Sequence, residues 1–434
     1  MREAYAGSQF SDLAIHPALK SYPAVARTRS RTSLYLFLVG LVMASGTVVL
    51  IEPAPIDIGL ILLLAFGLLL NQLEFRGEHA LPMLLLGLVA AANLCSIPEA
   101  SDTGRAIWYG SVTLYLLCSW VFFVGLISKY GLRATSVLLK TYVLAGIAAA
   151  LLSGLSYFHL IPFQDVLLLY GRPKGLFKDP NVYGPYMVPV ALYALAKLNA
   201  KGLRAGLKLF WCCAYVVATS GVFLSFSRAC WLNYAIGMIV YLILDLLGTA
   251  RRDALRKMRN LTVVVVLVGA TLVAVVNIPQ VAFMMSQRWG SSGLQGYDED
   301  RFETQRRALD WALEQPLGHG PGQAEVHFAV VTHSTYIRVL FENGILGFAP
   351  LALFLLLSLT RSVRLAVTAR NTRWRMLFSF TAACIAGYVV NSAVIDTVHW
   401  RHVWLFLALA WTSHRAVDEP VVEHNRFAMS QARF

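Results

Sequence analysis

Long apolar stretches separated by short polar segments run through most of the chain. Many of them approach the ~20 residues that a helix needs to cross a bilayer. They fall at 33–51, 54–70, 80–97, 106–128, 136–160, 182–198, 207–225, 229–247, 261–280, 336–359, 376–395 and 400–413. The pattern predicts an all-α polytopic membrane protein with about twelve transmembrane helices. They would form one domain, residues 33–413, between two polar cytoplasmic segments, 1–32 and 414–434.

The composition agrees with a membrane protein. Only 14% of the 434 residues are charged and 57% are apolar, whereas about a quarter of a soluble domain is charged. The net charge of +13 would suggest nucleic-acid binding in a soluble protein. In a membrane protein it is explained by basic cytoplasmic loops beside anionic lipid. We therefore expect membrane lipids, and no nucleic acid, among the partners.

The distribution of Lys and Arg predicts the orientation. Basic residues are concentrated before the first span and after the fourth, sixth, eighth and tenth, in segments 27–31, 129–133, 197–208, 251–259 and 361–375. Because cytoplasmic loops carry the excess of Lys and Arg, these segments and both termini are predicted to be cytoplasmic. The two longest remaining connections, 159–181 and 280–335, then lie on the opposite side of the membrane.

The connection 280–335 is long enough to hold structure of its own. Residues 301–315 are predicted to form an amphipathic helix, since three large apolar residues share one face and Pro316 ends the pattern. These three residues are Phe302, Leu309 and Leu313. Such a helix is expected to lie on the membrane surface with its apolar stripe towards the lipid. The sequence LGHGPG at 317–322 predicts turns.

The outward connections are rich in basic residues, which runs against the usual charge bias and suggests an anionic substrate. Arg172, Lys174 and Lys178 lie close together in the first connection and precede Asn181. Arg binds phosphate in bidentate fashion and Lys binds it as a point charge. The alternative is that the basic side chains reach lipid headgroups while Asn181 caps the next helix.

Arg228 lies in the sequence SFSR, between two apolar stretches with almost no loop between them. Its guanidinium is therefore held at or just below the membrane surface, where a charge usually faces an internal cavity. Ser225 and Ser227 add hydroxyls to the same turn. The alternative is that Arg228 simply reaches the headgroups.

Four arginines belong to the second outward connection. Arg288 precedes the predicted surface helix, and Arg301, Arg306 and Arg307 lie on it. Arg306 falls on the apolar stripe, Arg301 falls on a separate face, and Arg307 is spaced to pair with neighbouring carboxylates. Periodicity alone does not decide which of these arginines contacts a substrate.

His333 lies just before the span at 336–359. A neutral imidazole at a membrane-surface cleft can accept a proton from an attacking hydroxyl at ambient pH. His319 and His327 are nearby alternatives, and His333 could instead be no more than a cap or an interfacial polar group at a helix start. The histidines lack metal-ligand spacing, and no nucleotide-binding or hydrolase motif occurs, so neither a metal nor a cofactor is expected.

Four fragments together resemble the O-antigen ligase and Wzy-type polysaccharide polymerase superfamily of bacterial envelope glycan enzymes. They are GRPKGLFKDPNVYGPY at 171–186, SFSRACWL at 225–232, RRALDWALEQPLGHGPG at 306–322 and HSTYIRVLFENGILGF at 333–348. The first five spans carry no motif of that family.

The resemblance implies a metal-independent membrane glycosyltransferase of the large helical class. It would lie in the bacterial inner membrane with its active site facing the periplasm. The donor would be a glycan linked through diphosphate to undecaprenol. The acceptor would be lipid A core for a ligase, or another lipid-linked repeat for a polymerase. Since no carboxylate nucleophile is evident, a single displacement with inversion is expected.

The resemblance also implies roles for particular residues. Arg228, together with Arg307 or Arg301, would hold the diphosphate. Arg172 matches the basic position of the first loop, and His333 would assist the acceptor hydroxyl. Two further positions match the Glu-x-Gly of the last fragment, namely Glu342 and Gly344.

One position departs from the family pattern. Ser334 stands where the family usually has Asn after the histidine, which affects how the histidine is oriented.

Two other functional classes compete with this interpretation. A transporter or flippase for an anionic lipid-linked sugar would be favoured by inverted repeats and by acidic groups near the middle of the spans, and the sequence shows neither. A non-catalytic envelope scaffold would tolerate substitution of the outward arginines.

Overall fold

The computed structural model describes residues 22–200, 202–247, 251–289 and 295–412, apart from some side chains in the first, tenth, eleventh and twelfth helices. Within these residues the helices are α1 (Tyr22–Ala44), α2 (Pro55–Leu69), α3 (Ala80–Cys95), α4 (Thr103–Tyr130), α5 (Leu132–Tyr157), α6 (Gln164–Leu167), α7 (Pro180–Leu198), α8 (Ala205–Leu224), α9 (Arg228–Leu247), α10 (Arg251–Val276), α11 (Pro279–Trp289), α12 (Gln295–Glu314), α13 (Ala324–His327), α14 (Thr335–Thr368), α15 (Thr372–Asn391) and α16 (Arg401–Ala410). A short hairpin of two strands with two residues each, β1 (Leu168–Leu169) and β2 (Arg172–Pro173), lies in the first outward connection.

Each predicted span falls on one of these helices. Six segments are long and apolar enough to cross a membrane, namely Gly77–Glu99, Thr103–Tyr130, Leu132–Tyr157, Ala205–Leu224, Arg228–Leu247 and Thr335–Thr368. Three shorter apolar helices are Thr32–Thr47, Pro55–Leu69 and Arg401–Ala410. An all-α membrane protein is therefore confirmed, whereas the count of twelve transmembrane helices stays a prediction. The predicted terminal segments, 1–32 and 414–434, fall largely outside the described residues.

The outer faces of the bundle are apolar. Large hydrophobic side chains are exposed along α1, α2 and α3, including Phe37, Ile58, Phe66 and Leu84. A soluble monomer rarely exposes apolar surface on this scale. These faces are therefore suited to contact with lipid.

Helix α7 forms the centre of the bundle, between α5, α8, α9 and α15, and is buried along most of its length. Pro189 lacks the N–H that would bond the carbonyl of Pro185 one turn earlier. The hydroxyl of Tyr388 donates to that carbonyl at 3.3 Å, and the hydroxyl of Tyr142 donates to the carbonyl of Tyr186 at 2.8 Å. In an apolar interior backbone groups must be satisfied within the protein, so Tyr388 satisfies the carbonyl that Pro189 leaves without its helical partner.

Helix α14 is broken at Gly344, whose backbone has φ 61° and ψ −168°. The break frees carbonyls in the preceding turn, and the backbone amides of His319 and Gly320 donate to two of them at 2.9 Å each. The 317–322 segment therefore packs backbone against backbone on α14. A Cβ at Gly344 would overlap the carbonyl of Pro316. The predicted turns in LGHGPG are confirmed, since Gly318, Gly320 and Gly322 all have positive φ.

The second outward connection contains more structure than the sequence predicts. Besides the predicted surface helix, it holds α11 and the short α13. Helix α12 begins before residue 301 and packs on α14 through Ala308, Ala312 and the partly buried Trp311. The predicted stripe lies on another face and is exposed, by 54% at Phe302 and 71% at Leu313. It is therefore available to lipid, as expected of a helix at a membrane surface.

We predict that Gly344→Ala destabilises the protein. The conformation at this position is essentially restricted to glycine and strains other residues by about 1–3 kcal/mol, and the added methyl would also collide with the Pro316 backbone. Thermal unfolding of the detergent-purified chain, followed by intrinsic fluorescence, should show a clearly lower midpoint.

Gly87→Ala is the matched control, because Gly87 is exposed on α3 and a Cβ there meets nothing within 4 Å. Ala is the better helix former, so this variant should unfold at the wild-type temperature or slightly above it. A Gly344→Ala variant as stable as Gly87→Ala would contradict the assigned role of the break in α14.

Candidate functional site

Arg172 ties the first outward connection to the turn between α8 and α9. Its hairpin reverses at Tyr170 and Gly171, which both have positive φ. The Arg172 side chain is buried, and its Nε and Nη2 donate to the carbonyl of Ser225 at 3.0 and 2.8 Å. Nη2 also donates to Asn181 Oδ1 at 3.1 Å. Arg172 therefore positions the turn, while its direct contact with substrate stays a prediction.

The two lysines of this connection are engaged within the protein. Lys174 is buried, donates to the carbonyl of Phe177 at 3.1 Å, and has its pKa lowered by burial. Lys178 is more exposed and pairs with Glu52 at 2.6 Å. Substrate contact by either lysine stays a prediction.

The start of α7 differs from the predicted alternative in which Asn181 is the cap. Asp179 is the capping residue, and its carboxylate accepts from the backbone amide of Asn181 at 2.6 Å. Pro180 occupies the first helical position, where its missing N–H costs nothing. The side chain of Asn181 is therefore available to Arg172 instead.

Arg228 is the first residue of α9 and its side chain is exposed. The preceding turn is tight, with Phe226 buried at φ 49°. Ser227 Oγ accepts from the amide of Cys230 at 3.4 Å, which helps to cap the helix. Arg228 thus adds a positive charge to a helix N-terminus, which already favours anions.

Arg301 is the arginine of α12 that the structure brings to His333. It shares the packing face with Ala308 and is half-buried. Its charge lies close enough to lower the pKa of His333. Arg306 and Arg307 are exposed, and Arg307 Cζ lies 5.9 Å from the ring of Phe328. Their predicted substrate roles remain predictions.

The side chain of Arg288 lies outside the described part of the chain. Its predicted contact with substrate therefore also stays a prediction.

His333 is half-buried at the start of α14, with φ 45°. Burial lowers its pKa, Arg301 lowers it further, and Asp179 and Asp396 oppose the shift. The imidazole is therefore neutral at pH 7 and can accept a proton. The capping role belongs to Ser334, whose Oγ accepts from the amide of Ile337, so the expectation of a His333 cap is wrong, while the alternative of an interfacial polar group stays a prediction.

His319 and His327 occupy a different place. Their rings lie 5.9 and 5.7 Å from the ring of Trp311, within the contact between α12 and α14. Burial and His327 lower the pKa of His319. Within the described residues no group of three or more His, Cys, Asp or Glu side chains is placed to hold a metal ion.

Arg338 was not singled out by the sequence, yet it organises the surroundings of His333. It is 4% exposed and donates to three carboxylates at 2.7–3.0 Å, those of Glu342, Asp396 and Glu325. Its guanidinium also lies 4.6 Å from the ring of Tyr109. Burial alone would raise the pKa of Asp396, but Arg338 and His399 outweigh it and hold that pKa below its ordinary value. Arg338 is therefore a positioning residue.

Hydrogen bonds and electrostatic interactions connect the segments that carry the predicted residues. Ser225, three residues before Arg228, accepts from Arg172. Arg172 contacts the start of α7, where Asp179 acts electrostatically on His333. His333 in turn is affected by Arg301. The two outward connections and the α8–α9 turn are therefore linked, and Arg301 lies near the neutral imidazole of His333.

Comparison with known proteins agrees with the resemblance. Residues 213–352 match the Wzy_C family model, described as O-Antigen ligase. The match covers Arg228, Arg301 and His333 and ends shortly after the break in α14. It confirms the resemblance to the O-antigen ligase and Wzy superfamily. No curated protein matches the chain significantly.

We predict that Arg172→Ala loosens the α8–α9 turn. Cys230 is fully buried beside this turn, so losing the bonds to the Ser225 carbonyl should expose its thiol. In a background where the other five cysteines are replaced by Ala, maleimide should label Cys230 faster in Arg172→Ala.

Lys178→Ala serves as the control, because it removes a basic side chain from the same connection without touching the turn. Its labelling rate should equal that of the parent. Equal rates in all three proteins would contradict the positioning role of Arg172.

Proposed function

We propose that this protein transfers a glycan from a polyprenyl-diphosphate donor to a hydroxyl of an acceptor sugar. The coarser role, a multi-pass membrane protein of glycan assembly with an O-antigen ligase region, follows from the family match and the apolar helices. The observation that supports the finer proposal is the placement of Arg301 near the neutral imidazole of His333; Arg228 enters the proposal as the first residue of α9, on the turn that Arg172 holds.

Guanidinium groups supply what departure of a lipid diphosphate needs. Negative charge grows on the leaving diphosphate as the glycosidic bond breaks, and fixed positive groups in a partly dry site stabilise that charge. Arg228 at the N-terminus of α9 and Arg301 on α12 are the two arginines placed for this role. Arg172 holds the α8–α9 turn, and so Arg228, in position.

His333 is the base of the proposed reaction. Its neutral imidazole takes the proton of the acceptor hydroxyl as the oxygen attacks the anomeric carbon of the donor. The bond from that carbon to the diphosphate oxygen breaks, and the diphosphate leaves with the electron pair. One displacement of this kind inverts the anomeric configuration.

Sidedness follows from the placement of charge. The site lies at the end of the bundle that carries both outward connections, opposite the basic segments predicted to be cytoplasmic. In a bacterial inner membrane the site would face the periplasm. The acceptor there would be lipid A core or another lipid-linked repeat.

We predict that Arg301→Ala lowers kcat/KM for glycan transfer by at least about 10²-fold, as expected when a stabilising charge is lost from a transition state. The assay would use reconstituted protein, an undecaprenyl-diphosphate-linked oligosaccharide as donor, and detection of the new glycosidic bond by mass spectrometry.

Arg306→Ala is the control, because Arg306 is exposed on another face of the same helix. It should keep wild-type turnover. Full activity in Arg301→Ala would contradict the proposed diphosphate site. Movement of the donor between leaflets with no new glycosidic bond would favour the transporter instead.

A second prediction concerns pH. Because burial and Arg301 lower the pKa of His333 below that of an ordinary histidine, the fall of kcat/KM on acidification should lie at a lower pH than the titration of a free imidazole. His333→Gln should reduce kcat by about 10²–10⁴-fold and abolish this acid limb.

The pH profile separates catalysis from structure. If His333 had only a structural role, the residual activity of His333→Gln would still fall on acidification as the wild-type activity does. An acid limb centred above pH 6.5 in the wild type would also contradict the assignment.

A further inference from the structure

A cavity of about 200 Å³ lies between α1, α2, α4, α5, α7 and α16. The residues that line this cavity do not include Arg228, Arg301 or His333. It approaches the catalytic site through Asp396, which lines the cavity and whose Oδ1 lies 3.3 Å from Thr335 Oγ1, two residues after His333. The cavity is therefore a neighbouring compartment with space for one small ring.

Two buried polar atoms belong to side chains that line this cavity. Tyr186 Oη and His402 Nε2 have no hydrogen-bond partner among the described residues. Their side chains are only 2% and 7% exposed. Tyr186 Oη lies close to Gly46, another lining residue. Buried polar atoms are nearly always hydrogen-bonded in proteins, so these two atoms point to a ligand that carries polar groups.

Aromatic rings form much of the wall around these atoms. Trp400 stacks on His402, with ring centres 5.8 Å apart and planes at 20°. Phe177 lies 5.0 Å from Tyr186. A sugar ring presents an apolar C–H face and a rim of hydroxyls, so it complements a pocket that offers both ring faces and polar atoms.

The charged residues lining the cavity are balanced. Glu52 and Asp396 face Lys178 and Arg401. Lys178 pairs with Glu52 at 2.6 Å, and Arg401 Nη2 donates to Asp57 at 2.7 Å. Unlike the neighbouring site, which gathers arginines, this cavity has no excess of positive charge among its lining residues. It is therefore suited to a neutral polar ligand rather than to the diphosphate.

We infer that this cavity binds the non-reducing terminal sugar of the acceptor glycan and presents its hydroxyl to His333. The inference rests on the proposed function and assigns the second substrate to its own compartment. A polyprenyl chain would fit the apolar walls, but it would leave both Tyr186 Oη and His402 Nε2 without hydrogen bonds, which is unfavourable.

The test is direct binding in the absence of donor, where no transfer can occur. Oligosaccharides released from the host's envelope glycans are labelled at the reducing end with 2-aminobenzamide, which leaves the terminal sugar free. Binding to the full-length, detergent-purified chain is measured by thermophoresis. Tyr186→Phe and His402→Phe should each weaken binding by roughly fivefold to tenfold, as expected for one lost hydrogen bond.

Tyr241→Phe is the matched control. It removes a buried hydroxyl that likewise has no partner among the described residues, but Tyr241 lies near the other end of α9 and does not line the cavity. Its affinity for the labelled sugar should equal that of the wild type. In the transfer assay, Tyr186→Phe should raise the KM for acceptor and leave the KM for donor unchanged.

The outcomes separate this inference from the proposed function. If Tyr186→Phe and His402→Phe both transfer glycan with the wild-type KM for acceptor and bind the labelled sugar with the wild-type affinity, the inference is overturned. The proposed transferase function would be unaffected by that result. If Tyr186→Phe weakens sugar binding but the wild-type protein transfers no glycan, the sugar site is supported and the proposed function is overturned. Displacement of the labelled sugar by undecaprenyl phosphate, equally in the wild type and Tyr186→Phe, would assign the cavity to lipid and overturn the inference.

Discussion

The packing of α13, α14 and the α15–α16 turn around the candidate site depends on one buried guanidinium group. Arg338 lies in α14 and uses Nε, Nη1 and Nη2 to bond three carboxylates, one on its own helix and two from other parts of the chain. Burying these charges is costly, and removing one partner from such a cluster typically costs about 3–5 kcal/mol. The cluster therefore joins α13, α14 and the α15–α16 turn in only one register. His333 lies five residues before Arg338, and Asp396 lines the neighbouring cavity, so the cluster adjoins both compartments.

Periodicity predicted where the helices lie but not which faces of α12 meet the protein. The stripe of large apolar residues was identified correctly, and it is exposed. The packing face is instead formed by small residues, Ala308 and Ala312, that share it with Arg301. A stripe of large hydrophobic residues is the strongest periodic signal in a sequence, whereas close contact between helices requires small side chains. Alanines at helical spacing around Arg301 were the available signal for choosing among the three arginines of this helix.

Contacts between distant parts of the chain set the rest of the site. The Arg338–Glu342 pair is readable from its four-residue spacing, but Asp396 is 58 residues away from Arg338. No local pattern indicates that Arg172 bonds the carbonyl of Ser225, 53 residues on. The fragments of the family resemblance located these segments, since they group residues that meet in space. They did not distinguish a substrate contact from a side chain that holds a turn.

Charge separates the two compartments, and this separation bears on function. On one side Arg301 lies near the neutral imidazole of His333, and on the other side each basic side chain that lines the cavity is paired with a carboxylate. A transporter of one anionic lipid needs a single path whose lining carries the same kind of charge throughout. A transferase needs two different ligands held at adjacent sites, with the base between them. His333 lies near Arg301 and two residues before Thr335, which contacts Asp396 at the edge of the cavity, and this placement supports the proposed transfer between two substrates.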